Sequence, residues 1–419
     1  MKDILRRAAD YAFAAVKWLP LAVLVGLLGG AVGVSFHHGI RQVVALREAN
    51  DWLIYLLPVG AVGIALLYRL FRLAPDAGTN LVIEAVRSEN RVPVLLAPAM
   101  FLSTLLTQLL GGSAGREGAA LQIGGGLAGG LASLFRIKEE HHHLMVLCGM
   151  AAVFSALFGT PVAAAVFVLE VASVGHFHYS ALLPCLTAST TAGLLSRNLG
   201  GEVMRLSFPA VEVPDILLYL QTAGLAVLCA LLSIGFCVIM VRVGMLARRY
   251  LKNTYVRAVV LGTAVLALTL LSGTRIYNGA SMALIERAVA GEGVDWYAFL
   301  LKILFTALTL AAGYKGGEIV PTYFVGAAFG ATMGPLLGLP SGFSAAIGMV
   351  GMFCGVVNCP FATLFLAVEL FGGAQLMPFA LTCAISYVFS GYFGLYSRQH
   401  ILRSKVGTEL IDRYVGGHE

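Results

Sequence analysis

The chain alternates long apolar runs with short polar interruptions. Apolar segments fall near residues 18–36, 53–72, 92–110, 145–173, 180–197, 215–245, 256–273, 298–312, 322–340, 343–357, 361–372 and 376–396. A run of about twenty apolar residues is long enough for one helix to cross the hydrocarbon core of a bilayer. The shorter runs, and the run at 145–173 interrupted by Gly149, Gly159 and Pro161, predict tilted or broken helices. Residues 1–17 set Lys2, Arg6, Arg7 and Lys17 among Ile4, Leu5, Ala8, Tyr11 and Phe13, a pattern that predicts an amphipathic helix on the cytoplasmic surface. Arg69 and Arg72 close the second span, and Arg242, Arg248, Arg249, Lys252 and Arg257 form a basic loop; both are expected on the cytoplasmic side. Anionic lipid is a further partner for such a loop. A polar connection with Glu286, Glu292 and Asp295 fills 275–296, and 397–419 reads as a short cytoplasmic tail.

Composition turns this pattern into a class. The 419 residues are 58% hydrophobic and 12% charged, with mean hydropathy +0.85. Soluble domains carry about 25% charged residues. The fold class is therefore an all-α polytopic membrane protein. The 49 glycines suit helices that pack closely in lipid. The net charge of +6 is accounted for by the positive loops, so nucleic acid is not expected as a partner. All seven cysteines lie in apolar segments at spacings that suit neither a disulfide framework nor a zinc site. The first apolar run lacks a small-residue cleavage site, so no cleavable signal peptide is expected.

Three polar interruptions carry the chemistry. Gly112-Ser113-Ala114-Gly115-Arg116-Glu117-Gly118 places an arginine and a glutamate between two apolar segments, and an ionisable pair at membrane depth points to function. A short polar loop at the membrane surface is the other reading of the same residues. Pro75-Asp76-Ala77-Gly78-Thr79-Asn80 precedes an apolar run as a helix-start signal, and a helix N-terminus presents free N–H groups to an anion; a generic surface cap fits equally. Gly313-Tyr314-Lys315-Gly316-Gly317-Glu318-Ile319-Val320-Pro321 is the third. Glu318 reads as a second transport carboxylate, as a helix cap or as a partner for Lys315. His141-His142-His143 reads as an interfacial loop, because adjacent histidines on a helix point in different directions and no helical metal-binding pair accompanies them. No metal and no cofactor are expected.

The first and third interruptions belong to an internal repeat. At an offset of 199, Gly149, Phe154, Pro161, Ala163 and Glu170 meet Gly348, Phe353, Pro360, Ala362 and Glu369; at 201, Gly115, Glu117, Gly125 and Gly129 meet Gly316, Glu318, Gly326 and Gly330. The two repeats are placed at about 53–245 and 256–396. Interrupted helices at matching positions of two halves point to a transporter site at the repeat interface, and inverted topology is expected because it aims paired helix ends at one midplane site. Glu170 and Glu369, which end apolar helices, read as interfacial or structural.

These residues resemble the CLC family of anion channels and anion/proton antiporters over about 18–396. Gly115-Arg116-Glu117-Gly118 is similar to that family's G-[KR]-E-G motif, 316–321 to its G-G-x-F-x-P motif and 76–81 to its G-S-G-I-P motif. Tyr396 occupies the place of its central anion-coordinating tyrosine. The resemblance implies a CLC-like inverted repeat, with Glu117 as gate and proton carrier. It implies anion binding at Gly78, Thr79, Asn80, Gly115, Arg116, Gly118, Ile319, Val320 and Tyr396. The Arg116 guanidinium is expected to face the protein or the interface, since a fixed cation at the ion would hold it too tightly. Three departures narrow the branch. Ala77 and Gly78 stand where chloride members have serine, Glu318 precedes Ile319 in the third motif, and Val171 lies near the usual internal proton-transfer glutamate. This combination resembles the fluoride/proton antiporter branch. The expected function is secondary active export of fluoride in exchange for protons, without enzymatic activity, by a homodimer in the bacterial inner membrane. The alternatives are a chloride/proton antiporter or passive chloride channel of the same family, and, more remotely, an intramembrane metalloenzyme.

Overall fold

A computed structural model of the chain describes residues 2–74, 78–88, 91–201, 203–209, 211 and 215–416. Pro75, Asp76 and Ala77, part of the expected helix start, lie outside these residues. So do the side chains of 2–15 and 17, on which the amphipathic character of the N-terminal helix rests. Among the described residues sixteen α-helices follow in order. The first eight are α1 (Lys2–Ala49), α2 (Leu57–Leu70), α3 (Thr79–Arg87), α4 (Leu96–Leu110), α5 (Glu117–Leu134), α6 (His142–Phe158), α7 (Pro161–Val171) and α8 (Leu182–Asn198). The second eight are α9 (Ile216–Tyr250), α10 (Thr254–Ser272), α11 (Met282–Val289), α12 (Ala298–Ala311), α13 (Ile319–Met333), α14 (Ser341–Val357), α15 (Pro360–Phe371) and α16 (Leu376–Phe389). Six helical stretches among the described residues are long and apolar enough to cross a membrane.

The two sets pack alike. α1 lies against α6 and α8, and α9 lies against α14 and α16; α5 packs on α6 as α13 packs on α14. Packing thus divides the chain in the segment before α9. The division expected at 53–245 and 256–396 left α1 outside the first repeat and put most of α9 within it, because hydropathy marks a span without revealing its partners. Glycine permits the closest crossings. A Cβ at Gly124 would collide with the backbone of Gly149, and one at Gly326 with that of Gly348, so α5–α6 and α13–α14 approach through the same device.

Reciprocal caps fix the relative direction of the halves. Glu170, near the end of α7, accepts hydrogen bonds from Phe361 N at 3.3 Å and Ala362 N at 2.8 Å, at the start of α15. Glu369, near the end of α15, accepts from Val162 N at 3.1 Å and Ala163 N at 2.8 Å, at the start of α7. Each carboxylate satisfies free N–H groups at the positive end of the other helix. Two helices that cap one another in this way run antiparallel. Since α7 and α15 are equivalent, the repeat is inverted.

The expected helix breaks are present, and other elements differ from the hydropathy pattern. The apolar run at 145–173 breaks into α6 and α7 at Gly159, which takes φ +70, with Pro161 opening the next helix; Asn358 at φ +57 and Pro360 repeat the break between α14 and α15. The connection at 275–296 contains α11, which buries Leu284, Ile285, Ala288 and Val289. The last helix stops at Phe389, so the expected span to 396 ends early and Tyr396 lies in an irregular segment beyond Gly391 at φ +57. The tail folds back. β1 (Ser173–Val174) pairs in parallel with β2 (His400–Arg403), which pairs antiparallel with β3 (Leu410–Tyr414).

Candidate ion pathway

The N-termini of α5 and α13 meet head to head. Gly115 N donates to Gly317 O at 2.6 Å, and Gly317 N donates to Gly115 O at 2.9 Å, an antiparallel rung between the two interruptions. Glycine is required here by contact. A Cβ at Gly115 would strike the Glu117 carboxylate, and one at Gly118 would sit 2.9 Å from Gly317 Cα. Val320 Cβ lies 3.2 Å from that same Gly115 position, so the first turn of α13 touches the first interruption. First-turn N–H groups of both helices, including Gly118 on one side and Ile319 and Val320 on the other, have no carbonyl of their own helix to bond. Together with the helix dipoles they form a positive, uncharged lining suited to an anion.

α3 joins the same centre. Gly78, in extended backbone, caps its start. Thr79 is buried, and its Oγ1 accepts from Gln122 Nε2 at 3.0 Å; the same amide donates to Gly118 O at 3.2 Å. Gln122 thus ties α3 to the turn after Glu117. Asn80 faces the opposite mouth, where its Oδ1 accepts from Arg398 N at 3.2 Å. Tyr396 is buried, and among the described residues its hydroxyl has no hydrogen-bond partner. Leu395 N donates to Val356 O at 2.8 Å and Gln399 N to Tyr396 O at 3.0 Å, which pins the irregular segment that carries it.

Glu117 is only 2% exposed. Its Oε2 accepts from Arg116 N at 2.8 Å, and Arg116 Nε stands 3.6 Å from Oε1. The far end of the Arg116 guanidinium faces the protein, with Nη1 3.2 Å from Nδ1 of the buried His37 on α1. Glu318 is half-buried at the cap of α13 and makes no side-chain bond to that helix end. Lys315 lies over the Tyr68 ring at 4.4 Å.

Two cavities reach this centre. One, of about 660 Å³, leads past Arg41, Arg47, Arg275 and Arg116 to Glu117. The other, of about 340 Å³, leads past Arg248, Arg257 and Lys315 to Glu318 and Asn80. Thr254 and Arg257, at the start of α10, line the second; Arg275, just past its end, lines the first. The 19 residues of α10 rise about 28 Å, so the cavities open at opposite faces of a bilayer-thick bundle. Cations outnumber carboxylates at both mouths, which concentrates anions there.

The expected site residues Gly78, Thr79, Gly115, Gly118, Ile319, Val320 and Tyr396 converge; Asn80 and Glu318 lie on one side of them, and Arg116 and Glu117 on the other. Two polar side chains at the centre carry no motif in the sequence. Gln122 could have been noticed as a lone amide on a glycine-rich apolar helix; Tyr323, fully buried on α13, is hidden among apolar neighbours. The three histidines do not converge. His142 Nε2 meets Ile137 O at 2.9 Å, and the His141 ring stands edge-on to Trp18 at 5.2 Å.

Known proteins resemble this chain in sequence and fold. The profile of the family described as Voltage gated chloride channel matches residues 59–391. A chloride/fluoride channel protein of Pseudomonas syringae pv. tomato is 34% identical over 93% of this chain and 87% of its own length. The H(+)/Cl(-) exchange transporter ClcA of Yersinia pestis is 27% identical over 90% and 85% respectively. The crystal structure of a CLC-type fluoride/proton antiporter superposes with a TM-score of 0.89 at 31% identity, covering 93% of this chain and 99% of that one. A slow cyanobacterial Cl−/H+ antiporter shares the fold, with a TM-score of 0.76 at 19% identity over 89% of this chain and 94% of its own. The profile match over most of the chain, the 34% identity and the structural likeness agree, and the chain belongs to the CLC family.

Proposed function

We propose that this protein is a secondary active transporter that exports fluoride in exchange for protons. One observation carries the proposal: two cavities from opposite faces end on repeat-related glutamates, on either side of facing helix N-termini. Weak, multi-site coordination by N–H groups, the Thr79 hydroxyl and the Tyr396 hydroxyl lets an anion enter and leave. Fluoride is small and strongly hydrated, so it needs this density of donors. Glu117, ionised, competes for the anion's place; protonated, it withdraws as a neutral group. Anion and proton occupancy are thereby linked, as exchange requires.

The basic ends of α2, α9 and α10 set the Glu318 cavity on the cytoplasmic side, and the Glu117 cavity outside. By kinship with bacterial relatives the protein resides in a bacterial inner membrane. A second copy is the proposed cover for the apolar outer face of α15, where Phe361 is 62% exposed; crosslinking in native membranes tests it. The function is tested in liposomes by fluoride and proton fluxes measured together. Fluoride efflux with stoichiometric proton uptake is expected. Fluoride movement without protons would mark a channel, and faster chloride than fluoride would move the chain to the chloride branch.

A further inference from the structure

Tyr323 is an anomaly in the core. It lies one turn into α13, three residues after Val320, and is fully buried. Its ring is held edge-on by Phe353 at 5.0 Å and Phe158 at 6.4 Å. Its hydroxyl has no hydrogen-bond partner among the described residues. A buried hydroxyl without a partner destabilises a fold, and phenylalanine would fill this space without that penalty. A cavity of about 10 Å³ borders the ring, lined by Met349, Phe353, Thr363 and Leu366 among others. It has room for about one water, but a stable buried water needs two to four polar partners. Thr363, the hydroxyl in that lining, already donates to Cys359 O at 2.7 Å. Beyond the Tyr323 hydroxyl and the acceptor pairs of Thr363, the side chains lining it are apolar and give a water no further strong partner.

The ion pathway supplies an explanation. Tyr323 shares a helix face with Val320, three residues before it, and Val320 Cβ lies 3.2 Å from the Cβ position of Gly115, which itself abuts the Glu117 carboxylate. Two unpartnered, buried phenols therefore lie beside the path between the two glutamates. On the assignment of Glu117 above, we propose that the Tyr323 hydroxyl is a second phenol ligand for fluoride. It donates to the ion on the α13 side while Tyr396 donates from the other. A donor kept without a protein acceptor is ready for an ion that arrives and departs. A permanent acceptor would have to be given up at every cycle.

The test uses the full-length protein in detergent and in liposomes. Tyr323→Phe removes only the oxygen. It should melt at the same temperature as the parent protein or higher without fluoride, gain less thermal stability from added fluoride, and show a fluoride KM raised about tenfold or more, the loss of one hydrogen bond to a charged partner. An unchanged KM with an unchanged fluoride-induced melting shift would overturn the inference. Glu117→Gln/Tyr323→Phe, compared with Glu117→Gln alone, separates fluoride from the Glu117 carboxylate. Weaker fluoride binding in the double variant supports a role toward the ion; equal binding means that the hydroxyl serves only the carboxylate, and the proposal falls. Should phenylalanine not be accommodated, a ring-fluorinated tyrosine at 323, a stronger donor, must lower the KM, and a raised or unchanged KM would count against the role. Persistence of proton-coupled transport in Glu117→Gln would instead undo the gate assignment. Loss of coupling there with a normal Tyr323→Phe undoes only the role of Tyr323.

Discussion

The interruptions that carry Glu117 and Glu318 share a backbone and differ in what surrounds the carboxylate. Both glutamates stand at the start of a glycine-rich helix, and the Gly115–Gly317 rung joins the two strands of chain. Glu117 is buried, and its neighbour Arg116 holds it from backbone and guanidinium together. Glu318 has no arginine beside it in the chain and stands partly buried, lining the second cavity. A carboxylate held by its neighbour's backbone and guanidinium must give up those contacts to move, whereas Glu318 has no such arginine to leave. Repeat symmetry thus provides two equivalent frames, and local packing gives the carboxylate in each a different environment.

The sharpest way to break the contrast is Glu117→Gln. Proton flux should fall to background while fluoride still moves, measured by paired fluoride-electrode and pH recordings in liposomes. Glu318→Gln should be milder, with proton flux cut on the order of a hundredfold, the scale of one positioned proton-transfer group, and fluoride binding retained. If the two variants exchange phenotypes, the roles must be reversed. The repeat-related caps give the next test. Glu170 is the more buried of the pair, so Glu170→Gln should cost about 2 kcal/mol of stability and Glu369→Gln about 1 kcal/mol, read from thermal melting in detergent.

The last test lies in the tail. Lys405 Nζ donates to Asn358 Oδ1, to Tyr387 O at 2.8 Å and to Ser390 Oγ at 3.0 Å, which holds the tail sheet to the ends of α14 and α16. Burial pushes its pKa down from 10.5 to about 8. Between these values the unfolded chain binds the proton that the folded chain has lost, so this group makes stability rise with pH from about 8 to 10.5, by at most about 1.4 kcal/mol per pH unit. Lys405→Met should flatten that rise in melting temperature; an undiminished rise would show that Lys405 is not its source.

The broken helices and the pairing of the halves were legible because glycine, proline and glutamate are costly inside an apolar run and recur at a fixed offset. Glu170 and Glu369 were visible as matched positions, but nothing in either stretch says that each caps the other's helix, because these contacts join residues 192 and 206 apart. α11 was hidden in a polar connection since it presents only one short apolar face. The tail sheet was hidden because β1 is two residues long and β2 and β3 carry charges on most outward positions. Tyr323 was illegible for a different reason: an aromatic in an apolar helix looks like core until its hydroxyl is seen to lack a partner.

The rung at Gly115–Gly317 and the paired caps are contacts in which each half gives what it receives. That is the definition of an isologous interface, here formed within one polypeptide. The covalent join between α8 and α9 therefore contributes proximity to the central contacts, raising the effective concentration of one half for the other. Cut in that join and expressed as two fragments, the halves would carry every group needed to recognise one another and re-form the central rung.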